Sequence, residues 1–139
     1  MQPMSEPILH SGGCHCGKVR YDVIMSTDKA MSCNCSMCSR KGTLLSFVDV
    51  DAFTLKSGED NLTDYQFNKN NIHHLFCKTC GITSFARGTR RDGRPMVAIN
   101  VRCIDGVDLA SLEVRPFDGA NWDAAAQALR GGAAAPSQR

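Results

Sequence analysis

The sequence predicts a small, mainly β domain of antiparallel sheets that zinc staples together. Three observations point there. Short runs of β-forming residues recur with turn residues between them, and the clearest run alternates apolar and polar side chains. Of eight cysteines, all but one fall into three tight clusters. Aromatic residues make up only 6% of the chain, so part of the stability must come from something other than core burial. A length of 139 residues suits one domain and is too short for two ordinary ones.

Taken in order, Met1–His10 carries Pro3, Glu6 and Pro7 without an apolar run. It reads as an arm rather than a secretory signal, so residues 1–9 are assigned to a flexible N-terminal arm. Lys18–Ile24 alternates Val19, Tyr21 and Val23 with Arg20 and Asp22, the period of a half-buried strand. Leu44–Val50, Phe53–Leu55 and Leu62–Phe67 are further strand candidates, with a turn at Ser57–Asn61 between the last two. Ile72–Phe76 and Ile82–Arg87 flank a cysteine pair like two hairpin arms. Arg87–Arg94 is a turn-rich basic loop, and Pro95–Arg102, with Met96, Val97, Ile99 and Val101, is another strand candidate. One short C-terminal helix is expected at Asn121–Arg130, where Asn121 can cap, alanines favour helix and Gly131 stops it. The domain thus spans residues 10–130, and residues 131–139 read as a frayed tail.

Composition excludes several classes. No stretch approaches the roughly 20 apolar residues of a spanning helix, so no membrane role is expected. A net charge of +2 is too weak to argue for nucleic acid. Without an export signal the expected compartment is the cytoplasm, where thiols stay reduced and clustered cysteines need another purpose.

That purpose is legible in the spacing. The clusters are Cys14-His15-Cys16-Gly17, Cys33-Asn34-Cys35-Ser36-Met37-Cys38 and Cys77-Lys78-Thr79-Cys80-Gly81. Zinc takes four soft donors in a tetrahedron, at about 2.3 Å for each sulfur. A Cys-x-x-Cys turn can aim two thiolates at one ion, and a Cys-x-Cys pair at a strand end puts both sulfurs on one side. Gly12, Gly13 and Gly17 give the first pair backbone freedom, and Gly81 can take the positive φ that closes the last turn. A disulfide framework, an iron–sulfur cluster and dithiol redox chemistry are rival uses of cysteine. The missing signal, the absence of ferredoxin-type runs and the lack of a βαβ context weigh against them in turn.

The clusters offer two, three and two donors. If each stays together, they divide as four plus three or five plus two, and five thiolates on one zinc is chemically unreasonable. Cys14, Cys16, Cys77 and Cys80 then form a closed structural site, while Cys33, Cys35 and Cys38 form a second zinc site with one position vacant. A vacant position is what separates catalytic from structural zinc. His15, His73 and His74 could fill it, or could be ordinary half-exposed strand residues. Cys103, outside every cluster and within an apolar strand, reads as a small buried hydrophobe. The Arg87–Arg94 loop is either a solvated turn or a clamp for a small anion. Arg40 and Lys41, beside the open site, could serve as such a clamp.

These residues together resemble the glutathione-dependent formaldehyde-activating enzyme family, which includes the centromere protein V-like domains. The resemblance runs from Gly12-Gly13-Cys14-His15-Cys16-Gly17, through the middle triplet and Phe76-Cys77-Lys78-Thr79-Cys80-Gly81, to Asn100-Val101-Arg102. It implies an Mss4-like fold. It implies structural zinc at Cys14, Cys16, Cys77 and Cys80, and catalytic zinc at Cys33, Cys35 and Cys38. Its expected reaction joins a small thiol, glutathione, to formaldehyde as S-hydroxymethylglutathione, in the class of carbon–sulfur lyases. The resemblance carries over no glutathione contacts; as basic residues beside the open site, Arg40 or Lys41 would hold the glutathione carboxylates. The competing expectation is a non-catalytic zinc-stapled module that binds a protein, a nucleic acid or a small thiol.

Overall fold

The structure is a computed structural model, and it describes residues 7–34, 36–66, 72–90 and 92–117. Among these, ten strands and one short helix form two sheets. The smaller sheet has the order β1-β2-β5, from Ile8–Gly13, Arg20–Met25 and Phe53–Ser57. The larger sheet takes β3 (Lys29–Cys33), β4 (Leu45–Asp49), β6 (Leu62–Tyr65), β7 (Ile72–Cys77), β8 (Phe85–Thr89), β9 (Pro95–Asn100) and β10 (Glu113–Phe117). Its order is β10-β3-β4-β9-β8-β7-β6. Every pairing is antiparallel except that of β10 with β3. The helix α1 covers Ser36–Lys41. The mainly β class holds, and small sheets joined by a cysteine cluster are compatible with an Mss4-like fold. The expected C-terminal helix at Asn121–Arg130 and the tail at 131–139 lie outside the described residues.

The core lies between the sheets. Tyr21, Val23 and Met25 point inward from β2, as the alternation required, and meet Phe53 of β5 and Phe85 of β8. The rings of Tyr21, Phe53 and Phe85 pack with centroids 4.8 to 5.8 Å apart. The Tyr21 hydroxyl donates to the Ser84 carbonyl at 3.2 Å, which gives a fully buried phenol its partner. Burial also pushes that phenol above its ordinary pKa. β9 contributes Val97 and Ile99, both fully buried, as a central strand must.

Several expectations are corrected. The arm assigned to residues 1–9 loses Ile8 and Leu9 to β1, where they pair with Met25 and Ile24. Gly12 and Gly13 serve proximity rather than freedom: a Cβ on Gly13 would sit 2.1 Å from the Val19 carbonyl, and one on Gly12 2.8 Å from that of Cys103. The second arm of the late hairpin starts at Phe85, not Ile82, because Gly81–Ser84 completes the turn. Pro95–Arg102 stops being a strand at Asn100, and Val101–Cys103 forms a 3-10 turn that leaves Cys103 half-buried. A helix not foreseen, α1, begins after the first two cysteines of the middle cluster and contains the third.

Candidate metal centre

Two hairpin turns build the first site. In the β1–β2 turn the Cys14 amide donates to the Val19 carbonyl at 3.1 Å. In the β7–β8 turn the Cys77 amide donates to the Ile82 carbonyl at 3.1 Å. Each loop therefore closes over the same span and aims its pair of sulfurs out of the turn. Gly17 and Gly81 take φ of 85° and 78° there, with open space where a Cβ would stand, so backbone conformation alone selects glycine.

The structure brings together Cys14, Cys16, Cys77 and Cys80, all four sulfurs within 4.8 Å of one another. Two of the separations, Cys14 to Cys16 and Cys16 to Cys77, are 3.6 Å. Sulfurs placed tetrahedrally about 2.3 Å from a zinc would be about 3.8 Å apart, so this cluster fits that ion. The group could hold a metal ion as it stands. It also joins the sheets, since Cys14 and Cys16 extend from the smaller and Cys77 and Cys80 from the larger.

Donors converge on these sulfurs. The Val19 amide reaches Cys14 Sγ at 3.3 Å and the Thr79 amide reaches Cys77 Sγ at 3.4 Å. Asn61 Nδ2 donates to Cys77 Sγ at 3.2 Å and to Thr79 Oγ1 at 3.2 Å, while its carbonyl accepts from the Lys78 amide at 2.9 Å. The Cys80 and Thr79 amides hold the Cys77 thiol down to about 6. At Cys16 the Lys18 amide pulls down, but desolvation and the sulfurs of Cys14, Cys77 and Cys80 outweigh it and push that thiol up to about 11. Burial raises the Cys80 thiol, yet the amides of Cys16 and Ile82 leave it below its usual range. Four thiolates this close repel one another, and a cation among them lets all four ionise together.

The middle cluster sits where β3 passes into α1. Cys33 ends β3 and is half-buried, and Cys38 is the buried residue of α1. Cys35 lies outside the described residues. β10 runs parallel beside this junction, with Phe117 opposite Cys33 and the Asn34 amide bonded to the Phe117 carbonyl at 3.1 Å. A cleft of ≈ 380 Å³ opens against α1, lined by Ser36, Met37, Arg40 and Tyr65. Arg40 thus stands on the cleft, with its Nη1 donating to the Ser36 carbonyl at 2.9 Å. Lys41 reaches to Thr83 Oγ1 at 2.8 Å instead and does not line the cleft.

Asn100-Val101-Arg102 ties the two sites together. Asn100 Nδ2 donates to the Thr83 carbonyl at 2.9 Å, just past the last cysteine pair. Arg102 Nε donates to the Gly42 carbonyl at 3.2 Å, at the end of α1. Of the three candidate histidine ligands, His15 is exposed in the first turn, and His73 pairs with Asp64 at 2.7 Å. His74 is buried directly across from Tyr65 and so shares its face of the sheet. The basic loop resolves into a hairpin turn in which Arg90 pairs with Asp49 at 3.2 Å and Arg94 with Asp92 at 3.0 Å. Sequence reasoning missed Asn61 and Tyr65. Asn61 was assigned only to a turn, and nothing local marks a residue that meets Cys77 from the neighbouring strand connection.

Two sheets joined at a four-cysteine cluster, with an open cleft against the short helix, define a small β domain that could hold a metal ion. The match to the model for the glutathione-dependent formaldehyde-activating enzymes covers residues 9–117, and the chain belongs to that family. It is also similar to a Rhodobacter sphaeroides protein solved by crystallography as a structural genomics target. The two share 32% identity over 76% of this chain and 97% of that one, with a TM-score of 0.66. Among the described residues no helix is long and apolar enough to cross a membrane.

Proposed function

We propose that the protein is a zinc enzyme of the carbon–sulfur lyase type, acting on the adduct of glutathione, or a similar thiol, with formaldehyde or a related aldehyde. One observation carries this reading. The two outer cysteine pairs lie together as one group that could hold an ion, which leaves the sulfurs of the middle group for a second, and the helix that carries Cys38 borders a cleft open to small molecules. Zinc held by Cys33, Cys35 and Cys38 would supply one thing, a strong bias of an incoming thiol toward its thiolate at neutral pH.

The chain's own groups do the rest. Arg40 on the cleft wall can pair with a glutathione carboxylate through its guanidinium fork. Met37 and Tyr65 give the tripeptide a partly apolar floor, and Tyr65 adds a phenolic hydroxyl. Held there, the thiol sulfur adds to the formaldehyde carbon: a C–S bond forms, the carbonyl π pair moves to oxygen, and the thiol's proton ends on that oxygen. The product is S-hydroxymethylglutathione, and no oxidant is required. Holding both partners in one cleft converts a bimolecular step into an effectively intramolecular one. Seven ligand thiols suit a reducing compartment, which favours the cytoplasm. The reading as a nucleic-acid module is weakened by Arg90 and Arg94, whose charges are met by Asp49 and Asp92.

The test is Cys35→Ser with Cys38→Ser as its companion. Each variant should lose the second zinc equivalent, keep its circular dichroism spectrum and stop forming S-hydroxymethylglutathione from glutathione and formaldehyde, followed by NMR exchange. Unchanged thiol binding and turnover in both would dismiss the open site.

A further inference from the structure

We infer that the protein carries a second small-molecule site, for a monocarboxylate with a short apolar tail, on the sheet face opposite the cleft at α1. A pocket of ≈ 300 Å³ lies between β5 and the strands β6, β7 and β8. Leu55, Leu62 and Leu75 form apolar walls, and Asp64, His73 and Arg87 supply polar groups. Side-chain alternation puts Leu62 with Asp64, His73 with Leu75, and Arg87 opposite His73, all on one face. Tyr65 and His74 point the other way. Ligand in this pocket therefore does not compete with ligand at the cysteine trio.

Arg87 supplies the recognition. Its guanidinium carbon lies 5.6 Å from the Phe53 ring centroid and 5.5 Å from that of Phe85, which fixes the planar group against the edge of the core. Among the described residues no carboxylate or carbonyl accepts from it, in contrast to Arg90 and Arg94 of the same hairpin, which each have an aspartate. A half-buried guanidinium with an unpaired charge, held rigid at the wall of a pocket, is set up for a bidentate oxyanion.

The rest of the lining narrows the class. His73 is committed to Asp64, so it adds no second unpaired positive charge. Glu59 also lines the pocket, and its carboxylate disfavours a second negative charge on the ligand. Among the described residues Arg87 is the one cation of the lining that no aspartate holds, and the carboxylates of Asp64 and Glu59 repel a second negative charge, so the lining selects a monoanion over phosphate or a dicarboxylate, and three leucines select a tail over bare acetate. This inference stands apart from the reaction proposed at the trio.

The experiment is calorimetric titration of the zinc-loaded full chain with butyrate, with inorganic phosphate and 1-butanol as comparisons. Butyrate should bind saturably, with phosphate and butanol binding at least about tenfold more weakly, the scale of one lost charged hydrogen-bonded pair. Arg87→Met keeps apolar cover on Phe53 and Phe85 and should abolish butyrate binding while leaving zinc content and thiol turnover unchanged. Leu55→Trp, which fills the pocket and retains the charge, should abolish it as well. Absence of saturable butyrate binding to the wild type overturns the inference. So does binding that survives in either variant, or phosphate binding as tight as butyrate.

Discussion

Asn61 offers the sharpest test of the closed cluster, because it touches a sulfur without being a ligand. Its Nδ2 donates to Cys77 Sγ at 3.2 Å, and Cys77 is the thiol that the local amides already hold at about 6. Asn61→Ala removes that donor and leaves the sulfur's ligand geometry to the Cys80 and Thr79 amides. A hydrogen bond to a charged group contributes about 1.5–3 kcal/mol. The expected loss is therefore ~10- to 100-fold in zinc affinity, the range found for outer-shell partners of metal ligands. The assay is competition against a chromogenic chelator at fixed pH, with circular dichroism to show that the zinc-loaded fold is intact. The sign of the pH effect follows from the depressed thiol. Its ionised form is favoured above the ordinary value of 9.0 and is lost as pH falls through about 6. Taking away a donor raises that lower limit, so zinc should leave Asn61→Ala at a higher pH than it leaves the wild type. Thermal melts after chelation should differ far less between the two proteins than melts of the zinc forms. Equal zinc affinity and an equal pH midpoint of release would refute the claim that this side chain stabilises the ligated sulfur.

Other perturbations separate the roles of the elements. Cys77→Ser should abolish folding, because a structural zinc contributes about 10–16 kcal/mol in small zinc domains, against total stabilities of about 5–15 kcal/mol; a native circular dichroism spectrum without bound zinc would contradict it. Gly13→Ala places a Cβ where the Val19 carbonyl stands, at 2.1 Å, and must open the first turn. Overpacking of this kind costs about 1–3 kcal/mol, so a melting temperature equal to wild type would show that the turn gives way freely. Tyr21→Phe deletes the bond to the Ser84 carbonyl, which keeps the Asn100 amide at 3.1 Å as partner. The expected cost is about 1 kcal/mol, read as a melting shift of a few degrees.

How much of this was legible in the sequence depends on the range of the signal. β2 announced itself because Tyr21, Val23 and Met25 face a core while Asp22 and Ile24 do not, which writes a period of two into the chain. The hairpin around Cys77 and Cys80 was legible for the same reason, with its turn marked by Gly81. The four-cysteine group was legible by donor counting, since whole pairs can divide between tetrahedral sites in few ways. β1 was not, because Gly12 and Gly13 are chosen for the atoms they lack and carry no alternation. β10 has Pro116 and an exposed face, which edge position and one-sided pairing permit but no pattern marks. The helix α1 spans six residues, under two turns, too short for a 3.6 period to appear. Asn61 lies sixteen residues from the sulfur it serves, and only the fold brings them together.

On the proposed function, the placement of the two cysteine groups would give them separate tasks. The outer pairs stand on turns of different sheets, so an ion that gathers them fixes one sheet against the other and closes the core over Tyr21, Phe53 and Phe85. Losing any one of those sulfurs loosens the joint on which both sheets depend. The middle group starts at the end of a strand next to the outermost one and continues into a short surface helix, where a ligand's arrival or departure leaves the sheet–sheet joint untouched. Asn100 and Arg102 connect them, one side chain held to Thr83 beyond the last cysteine turn and the other to Gly42 at the foot of α1. Rigidity at a metal-loaded first group would thereby reach the second as a fixed cleft wall, which is what the proposed site for two small reactants requires.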